Sequence, residues 1–246
     1  VDDQRAGGAP RTLSFDIGGT RLKAALLDGK GDVLEGPVRT DTPKPAGPDK
    51  VVPLLIGLAR QVSTFDRISV GFPGVVRSGV VLTAPNLGTP AWRNTRLVDI
   101  LISELGKPAR LLNDGNVQGL GVIAGSGVEV CITLGTGMGF ALFREGRLAP
   151  HLEMGQHPVR TDRTYDKYIG NAVLQKIGPK RWNKRVGRVI TYLSVLTNYD
   201  TLYIGGGNAK AVRIALPDNV RLVANQAGLT GGVKLWDMLP EEDFVA

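Results

Sequence analysis

Short apolar runs, each closed by a glycine-bearing turn, alternate with stretches of helical spacing along most of the chain. Residues 13–17 read as a strand ending in Gly18-Gly19, and residues 22–27 as its partner, with Asp28-Gly29 as the next turn. Residues 51–63 have helical spacing with Pro53 in the first turn, where its missing N–H costs nothing. Residues 68–72 predict a strand entering Pro73-Gly74, and residues 95–106 a second helix. A strand over 109–112 leads to Asn113-Asp114 and a third helix over 117–124. Strands follow at 130–134, ending in Gly135, and at 140–143, with Glu145-Gly146 as a turn. A helix-rich stretch at 165–197 precedes a strand at 201–204, which runs into Gly205-Gly206-Gly207; that glycine run is expected to open a helix. Alternation of this kind predicts an α/β fold.

The pattern also repeats. A gapless shift of 117 positions lays Ile17 on Leu134, Gly18 on Gly135, Ala24 on Ala141 and Gly29 on Gly146. Each copy is a strand, a glycine turn, a second strand and a charged turn. Such a duplication suits a two-lobed molecule that clamps a ligand between its halves.

Composition narrows the chemistry. A chain of 246 residues with 42% hydrophobic and 22% charged residues fits an ordinary globular protein. No apolar run approaches the ~20 residues that span a bilayer, so no membrane role is expected. Asp2 and Asp3 open a segment without the apolar core of a secretory signal, which makes the cytoplasm the expected location. The single cysteine, Cys131, excludes an internal disulfide and a thiolate zinc site. His151 and His157 are the only histidines, so acid–base work falls mainly on carboxylates. The formal charge of +7 suits an anionic partner. Aromatics are not interleaved with the basic residues as a base-stacking platform needs, so nucleic acid is not the expected one.

Several segments have the residue types that phosphate and sugar chemistry use. In Asp16-Ile17-Gly18-Gly19-Thr20, paired glycines let an anion reach backbone N–H groups, Thr20 adds a hydroxyl and Lys23 a positive charge. Asp16 is suited to hold Mg²⁺ through water, as phosphate-bound magnesium keeps much of its hydration. Gly135-Thr136-Gly137-Met138-Gly139 repeats the design, and the chain has no P-loop signature. Asp114 sits between a strand and a helix, where it serves either as a helix N-cap or as a reactive carboxylate. Asn86, Asn113 and Glu153 are polar groups of the kind that bind sugar hydroxyls. Gly205, Gly206 and Gly207 offer one more close approach to a flat or anionic group. Lys180, Arg181, Lys184, Arg185 and Arg188, with Lys176 nearby, form the densest basic group, and positions 181, 184, 185 and 188 share a helix face.

Six of these segments, DIGGT at 16–20, Pro73-Gly74 with APNL at 84–87, ND at 113–114, LGTGMG at 134–139, EMGQH at 153–157 and IGGG at 204–207, occur in an order that resembles the ROK sugar kinases. The likeness is greatest to the bacterial polyphosphate glucokinases and covers residues 12–235. It implies the two-lobed, actin-like/hexokinase (ribonuclease H-like) ATPase fold. The implied division is a small lobe at 12–112, a large lobe at 113–226, and a C-terminal helix at about 227–240 packed back on the first lobe. It further implies Asp114 as the base on the sugar hydroxyl, with hexose contacts from Asn86, Asn113, Asp114 and Glu153. Donor loops are implied at 16–20 and 135–139, and a nucleotide-side loop at 205–207.

The expectation is therefore a hexose kinase that uses Mg²⁺ and transfers phosphoryl from polyphosphate or ATP to the 6-hydroxyl of a hexose such as glucose, and that assembles as a homodimer. A strictly ATP-dependent hexokinase, an N-acetylhexosamine kinase and a non-catalytic sugar sensor of the same family are the alternatives. Two departures bear on the sugar. The family's Glu-x-Gly-His pattern has Gln156 in its fourth place, so either His157 takes over or the glutamine meets the sugar and changes the preference. The cysteine-rich zinc motif of many members is absent, as it is in polyphosphate glucokinases.

Overall fold

The computed structural model describes residues 9–223 and 227–238. In chain order its elements are β1 (Thr12–Ile17), β2 (Arg21–Leu27), β3 (Val33–Asp41), α1 (Pro48–Ala59), β4 (Arg67–Phe72), β5 (Val76–Arg77), β6 (Val80–Val81), α2 (Thr89–Trp92), α3 (Leu97–Leu105), β7 (Ala109–Asn113) and α4 (Asp114–Leu120). Then follow β8 (Val128–Leu134), β9 (Met138–Arg144), β10 (Arg147–Leu148), β11 (Pro158–Arg160), β12 (Arg163–Thr164), α5 (Tyr165–Ile169), α6 (Asn171–Thr197), β13 (Thr201–Gly205), β14 (Val220–Leu222) and α7 (Ala227–Thr230).

Two five-stranded sheets share one topology. Their strand orders are β3-β2-β1-β4-β7 and β10-β9-β8-β13-β14. In each, a three-stranded antiparallel meander supplies one side, and two parallel strands extend from its first member. The sequence repeat is thus a repeat of architecture: β1–β2 and β8–β9 are the equivalent hairpins. Strands β1 and β4 are buried along nearly their whole length, because helices cover both faces of the first sheet. On one face α1 and α3 pack through Val51, Leu55, Leu58, Leu97 and Leu101.

Helix α4 lies between the sheets, and Val117 and Leu120 meet Leu112, Cys131, Phe143 and Tyr203 in one apolar cluster. Leu235 and Met238 join it from the C-terminal segment, which also covers the first sheet. Ser14 and Ser69, both buried in that sheet, donate their hydroxyls to the carbonyls of Leu229 (2.8 Å) and Gly232 (2.6 Å). The Trp236 indole N–H donates to Ser69, and the Arg67 and Arg110 guanidinium groups stack on its ring at 5.1 and 4.9 Å. From Ala227 the backbone is helical, but one α-turn passes into a 3₁₀ turn over Gly231–Trp236. A Cβ on Gly231 would strike the Val117 carbonyl, so the segment is pressed directly on α4. Residues 239 and 240 of the expected helix lie outside the described residues.

The second sheet has its own core around Trp182, Val186, Val189 and Ile190 of α6, packed on Val130, Ile132 and Ile204. Trp182 is fully buried and donates its indole N–H to the Ile169 carbonyl at 2.7 Å. Trp182→Ala is expected to lower unfolding free energy by about 3–5 kcal/mol, the usual cost of emptying a large aromatic site, as read by urea denaturation. Helix α6 breaks at Gly178, whose φ of 74° is non-helical, and restarts at Pro179.

Four sequence expectations change in detail. The helix expected over 51–63 runs over Pro48–Ala59, so it is Pro48 that opens it and Pro53 lies inside the helix, not in its first turn. The helix expected over 117–124 starts earlier and stops at Leu120; the N–H groups of Ala124, Gly125 and Ser126 turn instead to the buried Glu129 carboxylate. The cap of α4 is Asn113, not Asp114: its side-chain oxygen accepts from the N–H groups of Gly115 and Asn116. The glycines at 205–207 open no α-helix. Gly206 has φ +85° and lies against the Leu134 backbone, and Asn208 donates its N–H to the Leu134 carbonyl, leaving only a 3₁₀ turn at Ala209–Ala211.

Candidate active site

Parallel pairing brings the chemistry together. Strands β1, β4 and β7 run side by side, so their carboxyl ends deliver Gly18-Gly19, Pro73-Gly74 and Asn113-Asp114 to one edge. Strands β8 and β13 do the same in the second sheet with Gly135 and Gly205-Gly206. Ligands of open α/β sheets bind outside the carboxyl ends of the strands, where loops diverge. One cleft is lined from both sides by Gly18, Gly19, Gly74, Asn86, Asn113, Asp114, Thr133, Gly135, Thr136, Gly137, Gly139, His151, Glu153, Gln156 and Asp166, among others.

Asp114 is half-buried in that cleft. Being N1 of α4 and not its cap, its carboxylate is left for other work; one oxygen accepts the Gly115 N–H at 2.8 Å. Asn113 beside it is buried and committed, donating its amide to the Gly74 carbonyl at 3.1 Å while capping the helix. Loss of water pushes the Asp114 pKa up to about 7, helped by the charge of Asp16 and, more weakly, of Glu153. The Asp114 carboxyl therefore exchanges its proton near neutral pH, well above the usual carboxylate range.

The glycine loops are shaped for close approach. Gly135 and Gly137 close a tight turn, with the Gly135 N–H on the Gly137 carbonyl at 3.0 Å. A Cβ on Gly137 or Gly155 would collide with the Asp166 carboxylate, which sits between the second loop and the turn holding Glu153. Asn208 donates its side-chain amide to the Gly135 carbonyl, so the third glycine run braces this loop from behind. Gly205, Gly206 and Gly207 do not themselves line the cleft.

Asp16, Thr20 and Lys23 are also outside the lining. Asp16 pairs with Lys23 across the β1–β2 hairpin at 2.8 Å, and its charge is felt by Asp114. Of the residues expected to meet a sugar, Glu153 and Gln156 line the cleft, whereas the ring of His157 lies 6.3 Å from that of Tyr165 and outside it. The cleft's imidazole is His151. Its side chain is 6% exposed, Nε2 lies 3.4 Å from Glu153, and Nδ1 has no partner among the described residues. Sequence reasoning passed over His151, although it stands two residues before Glu153. It also missed Asp166, which the β11–β12 hairpin folds back onto the cleft with no local signal. Asp166 accepts the Met138 N–H and the Gln156 amide, both at 2.7 Å, and burial raises its pKa.

The arrangement holds a poised carboxylate at the centre, N–H-rich loops from two sheets, and Asn, Glu, Gln and His around them. That set suits transfer of an anionic group to a polyol. Residues 12–157 match the ROK family. The polyphosphate glucokinase of Mycobacterium leprae is 31% identical over 238 residues, covering 90% of this chain and 73% of that protein. Among solved structures, the inorganic polyphosphate/ATP-glucomannokinase from Arthrobacter sp. strain KM superposes with a TM-score of 0.83 at 26% identity, covering 92% of this chain and 98% of that one. A ROK family glucokinase from Streptomyces griseus, in complex with glucose and AMPPNP, superposes with a TM-score of 0.78 at 19% identity and covers the same shares.

Proposed function

This chain belongs to the ROK family, and from that premise we propose that it phosphorylates the 6-hydroxyl of a hexose, glucose first among them, using polyphosphate or ATP. The observation that carries the reading is Asp114: a half-buried carboxylate with a pKa near 7, set where the glycine loops of both sheets meet the sugar-type polar groups.

In the proposed reaction the hexose lies against Asn86, Asn113, Glu153, His151 and Gln156. Asp114 takes the proton of the primary hydroxyl as its oxygen attacks the terminal phosphorus of the donor. The bond from that phosphorus to the bridging oxygen breaks, and the shortened donor leaves with the bond's electron pair. Little covalent help is needed, so positioning and charge stabilisation do most of the work. Gly18, Gly135, Met138 and Gly139 spend their N–H groups inside the protein, so those of Gly19, Thr136 and Gly137 are the loop donors left to face the transferred group.

Mg²⁺ fits the residues present. No cluster of three or more His, Cys, Asp or Glu side chains that could hold a metal occurs among the described residues. Phosphate-bound magnesium does not need one, because one or two carboxylates and water suffice. Asp16, outside the cleft lining and paired with Lys23 through Oδ2, would hold it through water, and the ion would offset phosphate charge. Two lobes, at 12–112 and 113–226 with the C-terminal segment on the first, would close over the substrates and exclude water. We also place the enzyme in the cytoplasm as a homodimer; no helix among the described residues is long and apolar enough to cross a membrane.

For the donor, the second half of α6 supplies a basic face. Arg181, Lys184 and Arg188 are exposed, while Arg185 stacks on the Tyr168 ring at 4.8 Å and donates to its carbonyl. Arg160 stands over the same ring at 5.9 Å. A long polyanion on this face releases counterions, so its binding falls steeply with salt. Glucose, mannose, fructose and N-acetylmannosamine, each tested with ATP and with polyphosphate, separate the alternatives. The expected result is glucose turnover with a polyphosphate KM that rises with salt far more than the ATP KM. Equal salt sensitivity removes the basic track, and turnover of N-acetylmannosamine alone moves the enzyme to the hexosamine kinases.

A further inference from the structure

We propose that Asp166 is a positioning residue that fixes the Gln156 amide so that its oxygen accepts a hydrogen bond from a sugar hydroxyl; this rests on the hexose-kinase reading above. An ionised carboxylate only accepts hydrogen bonds. With one oxygen of Asp166 on the Met138 N–H, the other takes the nitrogen of the Gln156 side chain, both at 2.7 Å. That contact decides which way the amide faces. The Gln156 Oε1 then has no protein partner among the described residues, and the residue lines the cleft.

Space enforces the arrangement. Asp166 is held between Gly137 and Gly155, where a Cβ on either would meet its carboxylate. The side chain therefore cannot swing away from Gln156 without vacating a slot cut for it. The same wedge joins the second glycine loop to the turn that presents Glu153, so position 156 is set relative to the donor loop. An acceptor at this point favours a sugar that offers a free hydroxyl there and disfavours one whose oxygen is substituted.

Asp166→Asn tests the orientation nearly isosterically. Its side-chain oxygen still accepts the Met138 N–H, but its NH₂ now opposes the Gln156 NH₂, and the glutamine must flip and turn a donor to the cleft. Glucose dissociation constants are measured by calorimetry for wild type, Asp166→Asn, Gln156→Leu and the double variant, with Tm and donor KM beside them. Each single variant is expected to weaken glucose roughly tenfold, the scale of one net hydrogen bond. The double variant is expected to be no weaker than either single one, with donor KM within about threefold of wild type. Losses that multiply to about a hundredfold overturn the inference, because Asp166 then acts apart from Gln156. So does a donor KM that rises as much as the glucose constant, which marks a strut for the loop. Either result in a protein that still phosphorylates glucose leaves the kinase reading standing, whereas a wild type that neither binds nor phosphorylates a hexose overturns both.

Discussion

Asp114→Asn is expected to lose about 10²–10⁴-fold in kcat, the usual contribution of a general base, while glucose binds within a few-fold of wild type. The geometry explains the split. Asn113 makes the helix cap and the bond to Gly74, so replacing its neighbour leaves both in place. Asparagine keeps an oxygen for the Gly115 N–H and for a sugar hydroxyl, but it cannot take a proton. The fold is expected to gain. A carboxyl whose folded pKa is about 7, against 3.8 when exposed, stabilises the native state fully only below the lower value. That contribution is lost as pH rises through about 7, so wild type at pH 8 carries a buried charge that the variant lacks. Melting of the variant at pH 8 should therefore be no lower than wild type, which separates chemical loss from misfolding. A fall in turnover of less than tenfold removes Asp114 from the base role.

The second large effect is on pH. kcat/KM reports the free enzyme, and the base is active only when deprotonated, so the rate should rise with pH along a limb centred near 7. Below it the loss is about tenfold per unit, or roughly a hundredfold at pH 5. The cause can be tested residue by residue. Burial is the main reason for the raised value and the Asp16 charge the next, so Asp16→Asn should move the limb to lower pH however slow the variant is. A limb below pH 5 in wild type would mean that bulk water reaches Asp114 in the working enzyme.

The hairpins and the parallel strands were legible because each apolar run ends in its own turn signal, as at Gly18-Gly19 and Gly135. The 117-residue shift carried the architecture further, since Ile17 and Leu134 do occupy equivalent strand ends. Chemistry that depends on distance was not legible. Asn113 and Asp114 are both good capping types, and only the backbone decides that the first takes the cap. The raised pKa of Asp114 needs its burial and the approach of Asp16, neither of which is local in sequence. Asp166 and His151 reach the cleft through a hairpin and a loop whose composition is unremarkable. The glycines at 205–207 suggested a helix start, but the positive φ of Gly206 turns the chain against Leu134 instead.

The most direct measurement is the formation of glucose 6-phosphate, followed at pH 8 with Mg²⁺ and either polyphosphate or ATP, for wild type beside Asp114→Asn. The account predicts rapid product with wild type, phosphate on the primary hydroxyl only, and at least a hundredfold slower formation in the variant. No sugar phosphate from wild type with either donor, or equal rates in the two proteins, would contradict it.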